Sequence, residues 1–217
     1  MSKPVLAYGI CGEGLGHATR SIALIEQLEP ELAIHIFTFG DAYNFFRDRG
    51  FSNLHRIPGL SFVKKQEKID WPASIIHLIH FVRTGQGHLS YVKEIWDTIR
   101  PDIAVTDFEP LVPRIALQNK IPVLGVDNQA KISRCRLRDL PIGLKLYQAT
   151  FSSAIEWLVP RPVPRVVSCF HPEFCTPVKP LEAVVGPMLR SSITRLSPTD
   201  GGFALVYYKD VVGAVSY

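Results

Sequence analysis

Short apolar runs alternate with stretches of helical periodicity from the start of the chain. Residues 5–10 form a continuous apolar run that ends in glycines, and residues 21–28 carry apolar side chains at the spacing of a helix face. A second run at 33–39 is followed by a predicted helix at 41–47 and a short strand at 54–57. Because short strands that alternate with helices form parallel sheets covered on both faces, this order predicts an α/β fold.

The middle of the chain continues the alternation. Residues 71–99 are amphipathic and are interrupted by two closely spaced glycines, which predicts either two helices or one kinked helix. A strand at 102–106, a helix at 110–119 and a strand at 122–126 follow. The repeated unit predicts a doubly wound, Rossmann-like parallel sheet.

The last third of the chain indicates where one domain ends. A helix is predicted over 143–157, with short strands over 166–170 and 183–185. Residues 190–202 are rich in Ser, Thr, Pro and Gly, as linkers are, and a fresh apolar run begins at residue 203. The predicted organisation is a domain at 1–190, a linker at 191–202 and, at 203–217, the first strand of a truncated second domain.

Composition narrows the class of protein only slightly. The 217 residues suffice for one domain and the beginning of another, and 47% apolar with 20% charged residues is typical of a globular protein. The net charge of +4 is too small to require a nucleic-acid partner, so we expect none. The four cysteines form neither a CxxC pair nor a secreted disulfide framework, which favours a reducing cytoplasm.

Membrane contact is expected to be peripheral if it occurs. The amino-terminal apolar run is too short and too interrupted for a signal peptide or a spanning helix, which needs about 20 apolar residues. A basic segment at residues 131–145 interleaves Lys and Arg with Ile and Leu. It is either a solvated loop and helix face, or a surface that binds an acidic group or the inner face of a membrane.

The strongest local motif is GEGLGHATR at residues 12–20, where the first strand meets the first helix. Gly12, Gly14 and Gly16 allow backbone amides to approach a ligand, and the amino-terminal end of the helix favours an anion. The spacing departs from the dinucleotide fingerprint GxGxxG, and a tight turn is an equally good explanation. Thr19 and Arg20 follow on the first helical turn and are candidate binding residues.

His17 and Asp107 are the candidate catalytic residues. An imidazole with an ordinary pKa of about 6.5 can take a proton from a hydroxyl near neutral pH. Asp107 follows a predicted strand and should emerge at the same carboxyl edge of the sheet as His17, where a carboxylate could orient the imidazole. The alternatives are that His17 contacts an anion or caps its helix, and that Asp107 caps the helix that begins near Pro110.

Further polar residues are predicted at the same edge. Glu109 is a candidate binding residue or a solvated acid of the first helical turn, and Asp127, Asn128 and Gln129 offer hydrogen bonds to sugar hydroxyls or simply form a turn. The histidines of the amphipathic stretch do not repeat the HExxH zinc pattern, so no metal site is predicted. Hydrolase chemistry has no GxSxG nucleophile motif to support it.

Four segments in order carry a resemblance to a known family: GEGLGHATR at 12–20, VTDFEP at 105–110, VDNQ at 126–129 and VVGPMLR at 184–190. With them the chain resembles the amino-terminal half of GT-B glycosyltransferases. It is most similar to the group near the lipid-linked N-acetylglucosaminyltransferase of peptidoglycan synthesis and the UDP-glycosyltransferases. The resemblance implies an acceptor-side domain that faces a donor-binding domain across a cleft.

The resemblance also implies a reaction. His17 would be the general base that deprotonates an acceptor hydroxyl, Asp107 its orienting partner, and the displacement at the anomeric carbon inverting and metal-independent. In lipid-linked relatives the same glycine loop contacts the acceptor's phosphate instead. The co-substrate would be a nucleotide sugar, UDP-linked by this resemblance, held by a carboxyl-terminal domain that this chain omits, so the chain alone is expected to be inactive. The acceptor would be a sugar or a lipid-linked molecule, and no cofactor is implied.

Two other functions remain open at the level of the sequence. The chain could be a non-catalytic, acceptor-binding or scaffolding half of a transferase that is split between two polypeptides. A partner chain would then supply the donor chemistry. More remotely, it could belong to a sugar-nucleotide epimerase of the same architecture, which would invert a sugar nucleotide without an added acceptor.

Overall fold

The computed structural model describes residues 2–66, 68–137, 140–178 and 182–202. The strands of its main sheet are β1 (Val5–Ile10), β2 (Ala33–Thr38), β3 (Leu54–Arg56), β6 (Ile103–Asp107), β7 (Val123–Asp127), β9 (Arg165–Ser168) and β11 (Ala183–Val185). The helices are α1 (Gly16–Leu28), α2 (Gly40–Arg47), α3 (Trp71–Arg83), α4 (Gly85–Ile99), α5 (Leu111–Gln118), α6 (Lys131–Arg134), α7 (Ile142–Leu158) and α8 (Ser191–Thr194). Two short ladders pair β4 (Lys64–Lys65) with β5 (Lys68–Ile69) and β8 (Cys135–Leu137) with β10 (Cys175–Pro177).

The main sheet is parallel throughout and doubly wound. Within the described residues its strand order is β3-β2-β1-β6-β7-β9-β11, so the chain runs outward from β1 to one edge and then returns to continue on the other side. The order reverses between β1 and β6, and ligands of open α/β sheets bind in the crevice beyond the strand ends at this kind of point. The predicted α/β, Rossmann-like fold is confirmed.

Alternation along β1 divides the core between the two faces of the sheet. Leu6, Tyr8 and Ile10 pack against α1 and α2 on one face, whereas Ala7 points to the other face, where α4 and α5 pack. Residues of a strand point alternately to opposite faces, and both faces here are covered. The central strands are therefore almost fully buried, and they hold their carboxyl ends in fixed positions.

The amphipathic stretch forms two helices rather than one kinked helix. Asp70 caps α3 by accepting a hydrogen bond from the Ala73 amide (3.0 Å), and Pro72 occupies the first turn, where its missing N–H costs nothing. Thr84 ends α3 and begins α4. Among the described residues, no helix combines the length and apolarity required to span a membrane.

The short antiparallel ladders were not predicted, because strands of two or three residues carry too few positions for a period of two. The predicted strand at 183–185 coincides with β11, and α8 lies inside the predicted linker. The proposed start of a second domain at 203–217 falls outside the described residues. The predicted domain division therefore stays a prediction.

Candidate active site at the carboxyl edge of the sheet

The glycine loop connects β1 to α1 and is held against the start of α2. A β-carbon on Gly12 would lie 2.1 Å from the carbonyl oxygen of Phe39, so a side chain there would displace backbone. Gly14 has φ of +71°, a conformation that favours glycine. The Gly14 amide donates to Asp41 Oδ2 (3.2 Å), and the Asp41 amide donates to the Gly12 carbonyl (3.0 Å). These contacts fix the loop so that α1 begins at Gly16, directly before His17.

His17 and Asp107 lie side by side, as their predicted places in the fold required. The parallel register pairs Ile10 with Asp107, and the Cys11 amide donates to the Asp107 carbonyl (2.9 Å), so β6 ends level with the beginning of the glycine loop. His17 Nδ1 and Asp107 Oδ1 are 2.8 Å apart. When Nδ1–H donates to this carboxylate, the other ring nitrogen, Nε2, is left with its lone pair directed away from Asp107.

The Asp107 carboxylate is fully buried and accepts from three side chains of α1. Besides His17, Ser21 Oγ donates to Oδ2 (3.1 Å), and Arg20 donates from Nε to Oδ2 (3.0 Å) and from Nη2 to Oδ1. Residues 17, 20 and 21 share a helix face because side chains three and four apart are neighbours. A carboxylate so fully bonded is held in one orientation.

Burial and charge act on His17 in opposite directions. Burial by itself lowers the pKa of His17, but the hydrogen bond and attraction to Asp107, together with the contact with the Cys11 thiol, outweigh it. The result is a pKa of His17 above its ordinary value of 6.5. The imidazole therefore binds a proton more tightly than a free histidine does.

The Phe108 ring lies over one face of the His17 imidazole. Its φ of +57° is unusual for a residue other than glycine and turns the chain sharply after Asp107. The Phe108 ring then lies nearly parallel to that of His17, with 8° between the planes and 6.1 Å between the centroids. Strained backbone of this kind persists where surrounding structure enforces it, often at functional sites.

Two cavities meet at His17. The first, which we call the apolar cavity, has a volume of about 410 Å³ and is walled mostly by aromatic and aliphatic side chains. They include Phe39, Leu60, Phe62, Trp71, Ile75, Leu78, Phe108 and Leu158. The second, the outer cavity, has a volume of about 490 Å³ and is lined by Gly16, Arg20, Asn128, Lys131, Ser168 and Met188 among others. His17 and Gln129 line both.

The three polar residues predicted at the end of β7 differ in whether they reach a cavity. Gln129 lies at the meeting point of the cavities, with its Nε2 3.2 Å from His17 Nε2, so its amide can donate to this nitrogen when the ring is neutral with its proton on Nδ1. Asn128 lines the outer cavity and donates to the Ser168 carbonyl (2.6 Å). Asp127 is fully buried and accepts from the Ala130 amide (2.6 Å) and from Arg165 (2.7 Å). Its carboxylate supports the turn, so the turn interpretation describes it better than sugar binding.

Glu109 and Thr19 also make contacts within the protein. The Glu109 carboxylate is fully buried and accepts from the amides of Leu111 (2.7 Å) and Val112 (2.8 Å), so it caps α5 and lines neither cavity. Thr19 Oγ1 donates back to the Leu15 carbonyl (2.9 Å) within the first turn of α1. The helix cap at α5 had been considered for Asp107, and Glu109 fills it instead.

Sequence reasoning missed part of the site. Arg20 was a candidate for contact with a ligand, and its guanidinium binds Asp107 at the edge of the outer cavity, whereas Ser21 was not among the candidate residues. Arg20 and Ser21 follow His17 by three and four residues, and this spacing could have placed them on the same face of the helix as His17. The aromatic wall from the segment after β3 could not be assigned, since those residues are distant in sequence from every motif.

No group of three or more His, Cys, Asp or Glu side chains within the described parts of the chain is arranged to hold a metal ion. The four cysteines are buried thiols, and the sulfurs of Cys169 and Cys175 approach to 3.5 Å.

Comparison with known proteins places these features in context. An uncharacterized glycosyltransferase of Methanosarcina mazei is 32% identical over 173 residues, which cover 73% of this chain and 44% of that protein. A second, from Methanosarcina acetivorans, is 26% identical over 195 residues, 83% of this chain and 50% of that protein. The chain thus spans about half the length of the curated relatives it matches.

Solved structures show the same fold at low identity. The structure of Arabidopsis thaliana UGT89C1 complexed with UDP-L-rhamnose superposes with a TM-score of 0.55 at 16% identity, over 92% of this chain and 58% of that one. The sequence pattern described as glycosyl transferase family 1 matches residues 5–213. The chain therefore belongs to the glycosyl transferase family 1.

Proposed function

We propose that the complete protein, at the length of its relatives, transfers a sugar from a nucleotide-sugar donor to the hydroxyl of an acceptor bound in the apolar cavity. The observation that carries this proposal is the His17–Asp107 pair, whose ring nitrogen Nε2 faces the junction of the two cavities. Family membership supports glycosyl transfer as the class of reaction. This chain would supply the acceptor site and the base.

The proposed step uses His17 as a general base. The acceptor O–H proton passes to His17 Nε2 as the acceptor oxygen bonds to the anomeric carbon and the bond from that carbon to the donor phosphate breaks. The nucleoside diphosphate leaves with the electron pair, and the sugar configuration inverts. Asp107 holds the Nδ1–H and stabilises the imidazolium that forms. Gln129, whose amide can donate to Nε2 when the ring is neutral, has to yield this position to the acceptor hydroxyl.

The lining of the apolar cavity supports an acceptor with an apolar body. Trp71, Ile75 and Leu78 of α3 form one wall, and Phe39 and Phe108 form another. Apolar surfaces bind apolar groups at roughly 25 cal/mol per Å² removed from water. We therefore propose a lipid-linked or otherwise hydrophobic alcohol rather than a free hexose.

The donor is proposed to be a UDP-linked sugar. This is the kind of donor present in the Arabidopsis structure, and it is the one expected from the resemblance of the glycine loop and the later segments. A panel of UDP-, GDP- and dTDP-linked sugars assayed with the complete protein tests the choice of nucleotide, and preference for another nucleotide would remove it.

Peripheral contact with an anionic membrane is the last element of the proposal. The outer face of α3 leaves Trp71, Ile79 and Val82 about half exposed beside the apolar cavity. The preceding hairpin carries the exposed Lys65 and Lys68. Apolar side chains next to basic ones are suited to insertion among acidic headgroups, which would bring the cavity to an acceptor carried in the membrane.

Replacement of His17 by Ala in the complete protein tests the central role. General-base catalysis contributes about 100-fold or more, so kcat is expected to fall by at least about 100-fold. The matched control is His80→Ala, which removes an exposed histidine from α3 and should leave turnover unchanged. Turnover of His17→Ala within a few-fold of wild type would exclude His17 as the base.

A further inference from the structure

Arg20 is placed to act on both members of the His17–Asp107 pair at once. Its Nε donates to Asp107 Oδ2 at 3.0 Å, its Nη2 donates to Oδ1, and the same Nη2 lies 3.0 Å from His17 Nδ1. The guanidinium side chain is only 15% exposed. A fixed positive charge is therefore shared between the carboxylate and the ring nitrogen that the carboxylate binds.

The charge balance of the cluster depends on this contact. Asp107 alone would pair with a protonated His17 as a buried ion pair of zero net charge. With Arg20 present, Asp107 is already neutralised, and a proton on His17 leaves the cluster with a net positive charge away from water. Like charges within about 4–6 Å disfavour the charged form of a titratable group, so Arg20 opposes protonation of His17.

Other titratable groups face the cluster and act on it in known directions. The Cys11 thiol favours protonated His17, and Asp127 attracts the Arg20 guanidinium from β7. The Tyr8 phenol lies beneath Asp107 on β1 and is fully buried, and burial raises its pKa, so it stays neutral. Among these groups, Arg20 is the one whose positive charge lies at hydrogen-bond distance from the imidazole.

We propose that Arg20 is a positioning residue for the His17 base: it holds both oxygens of Asp107 and, through its charge, opposes the protonation of His17 that Asp107 favours. This inference rests on the proposed function, because only a base needs its neutral form. Arg20 also lines the outer cavity, so its interpretation as a ligand contact stays a separate prediction.

The test is a titration of His17 in the 217-residue chain without substrate, by NMR of the ring nitrogens. Arg20→Gln removes the charge, so His17 is expected to be more protonated at a given pH. The ratio of charged to neutral His17 should increase at least about tenfold, which corresponds to one pKa unit. Arg20→Lys keeps the charge and should restore most of the wild-type ratio. Arg47→Gln, an exposed arginine of α2, is the matched control and should change nothing.

A second readout separates positioning from folding. In the complete protein, the pH profile of kcat/KM for Arg20→Gln should shift to higher pH with an unchanged KM for the acceptor, and Arg20→Lys should reverse the shift. An unchanged or smaller protonated fraction in Arg20→Gln, with Arg20→Lys also like wild type, would overturn the proposal. If Arg20→Gln does not fold, Arg20→Met, which also removes the charge and keeps an unbranched side chain, decides it by the same titration. Failure of the proposed function would be seen separately: His17→Ala would then turn over normally while the titration of His17 still gave the expected result.

Discussion

His17 is held by a buried carboxylate, and this contact affects the stability of the fold as well as the proposed catalysis. Its pKa in the folded chain exceeds the ordinary value of 6.5 because Asp107 stabilises the imidazolium more than burial opposes it. A group whose pKa is raised on folding contributes stability that is fully present below the unfolded pKa and is lost as the pH rises through the folded pKa. The contribution of His17 therefore belongs to the acidic side of its titration.

His17→Gln is expected to destabilise the chain more at pH 6 than at pH 9. At pH 6 the variant forgoes the charged pair with Asp107, whereas at pH 9 the wild-type protein has lost part of that contribution as well. Urea unfolding of both proteins at the two pH values measures the difference in free energy of unfolding. His80→Gln serves as the control for removal of an exposed histidine. A destabilisation that grows with pH would contradict the assignment of a raised pKa.

At the scale of elements, α5 depends on a buried carboxylate. Glu109 accepts from the first amides of the helix, and a β-carbon on Gly9 would lie 2.7 Å from its Oε2, so the strand beneath leaves room for this side chain only because residue 9 is glycine. Burial raises the pKa of Glu109 to about 7, and the two backbone hydrogen bonds act against that rise. The cap therefore depends on two neighbouring strands: Glu109, which follows β6, supplies the carboxylate, and Gly9 of β1 leaves the space for it.

Glu109→Gln is expected to cost about 1–3 kcal/mol in free energy of unfolding at pH 6, because the amide nitrogen, unlike either oxygen of the carboxyl group, cannot accept a hydrogen bond and leaves one backbone N–H unsatisfied. The cost should be smaller at pH 8.5. Since its pKa is raised from 4.5 to about 7, Glu109 destabilises the wild-type fold as the pH rises through that window, and Gln does not. Glu94→Gln on the exposed face of α4 is the control. In the complete protein a raised acceptor KM without loss of stability would instead indicate a binding role.

The main helices and strands and the proximity of His17 to Asp107 could be predicted from sequence, whereas the other contacts of the site could not. Apolar periodicity located α7 and β11 within a residue or so, because the local pattern of apolar residues reflects burial on one or two faces. Arg20 binds a carboxylate 87 residues away in sequence, and this contact depends on the packing of α1 against β6. The cap on α5 is local, but the sequence could not decide whether Asp107 or Glu109 supplies it.

The outer face of α3 makes the membrane proposal testable at the level of one helix. Ile79→Glu places a charge on the half-exposed apolar face of α3. Binding of this variant to vesicles of phosphatidylglycerol and phosphatidylcholine, measured by sedimentation, is expected to be at least several-fold weaker than that of wild type. Thr98→Glu adds the same charge to an exposed position of α4 and should bind like wild type. Equal binding by both variants, or equal binding of the wild type to pure phosphatidylcholine, would rule out this face as an anionic-membrane contact.

At the scale of the whole molecule, the proposed function assigns the two cavities to different substrates. The apolar cavity suits the body of an acceptor, and the outer cavity lies on the other side of His17, bordered by Met188 and Leu189 where the chain leaves β11. An in-line displacement places the acceptor oxygen and the leaving phosphate on opposite sides of the anomeric carbon, with the acceptor oxygen next to the base. A donor held above the outer cavity by the remaining half of the protein would satisfy this geometry.

This division predicts that acceptor binding and turnover are separable. The 217-residue chain is expected to bind a hydrophobic alcohol such as decanol, with a change in tryptophan fluorescence, because Trp71 lines the apolar cavity. Trp71→Phe should lose the fluorescence change but retain binding measured by calorimetry, whereas Trp96→Phe, in the buried core, should keep both. Transfer from a UDP-sugar to the same alcohol should occur only with the complete protein, since the donor site is proposed to lie in the part of the relatives' length that this chain does not cover. Turnover by the chain alone would place the donor site within these residues, and absence of alcohol binding would instead make the outer cavity the place to look for the acceptor.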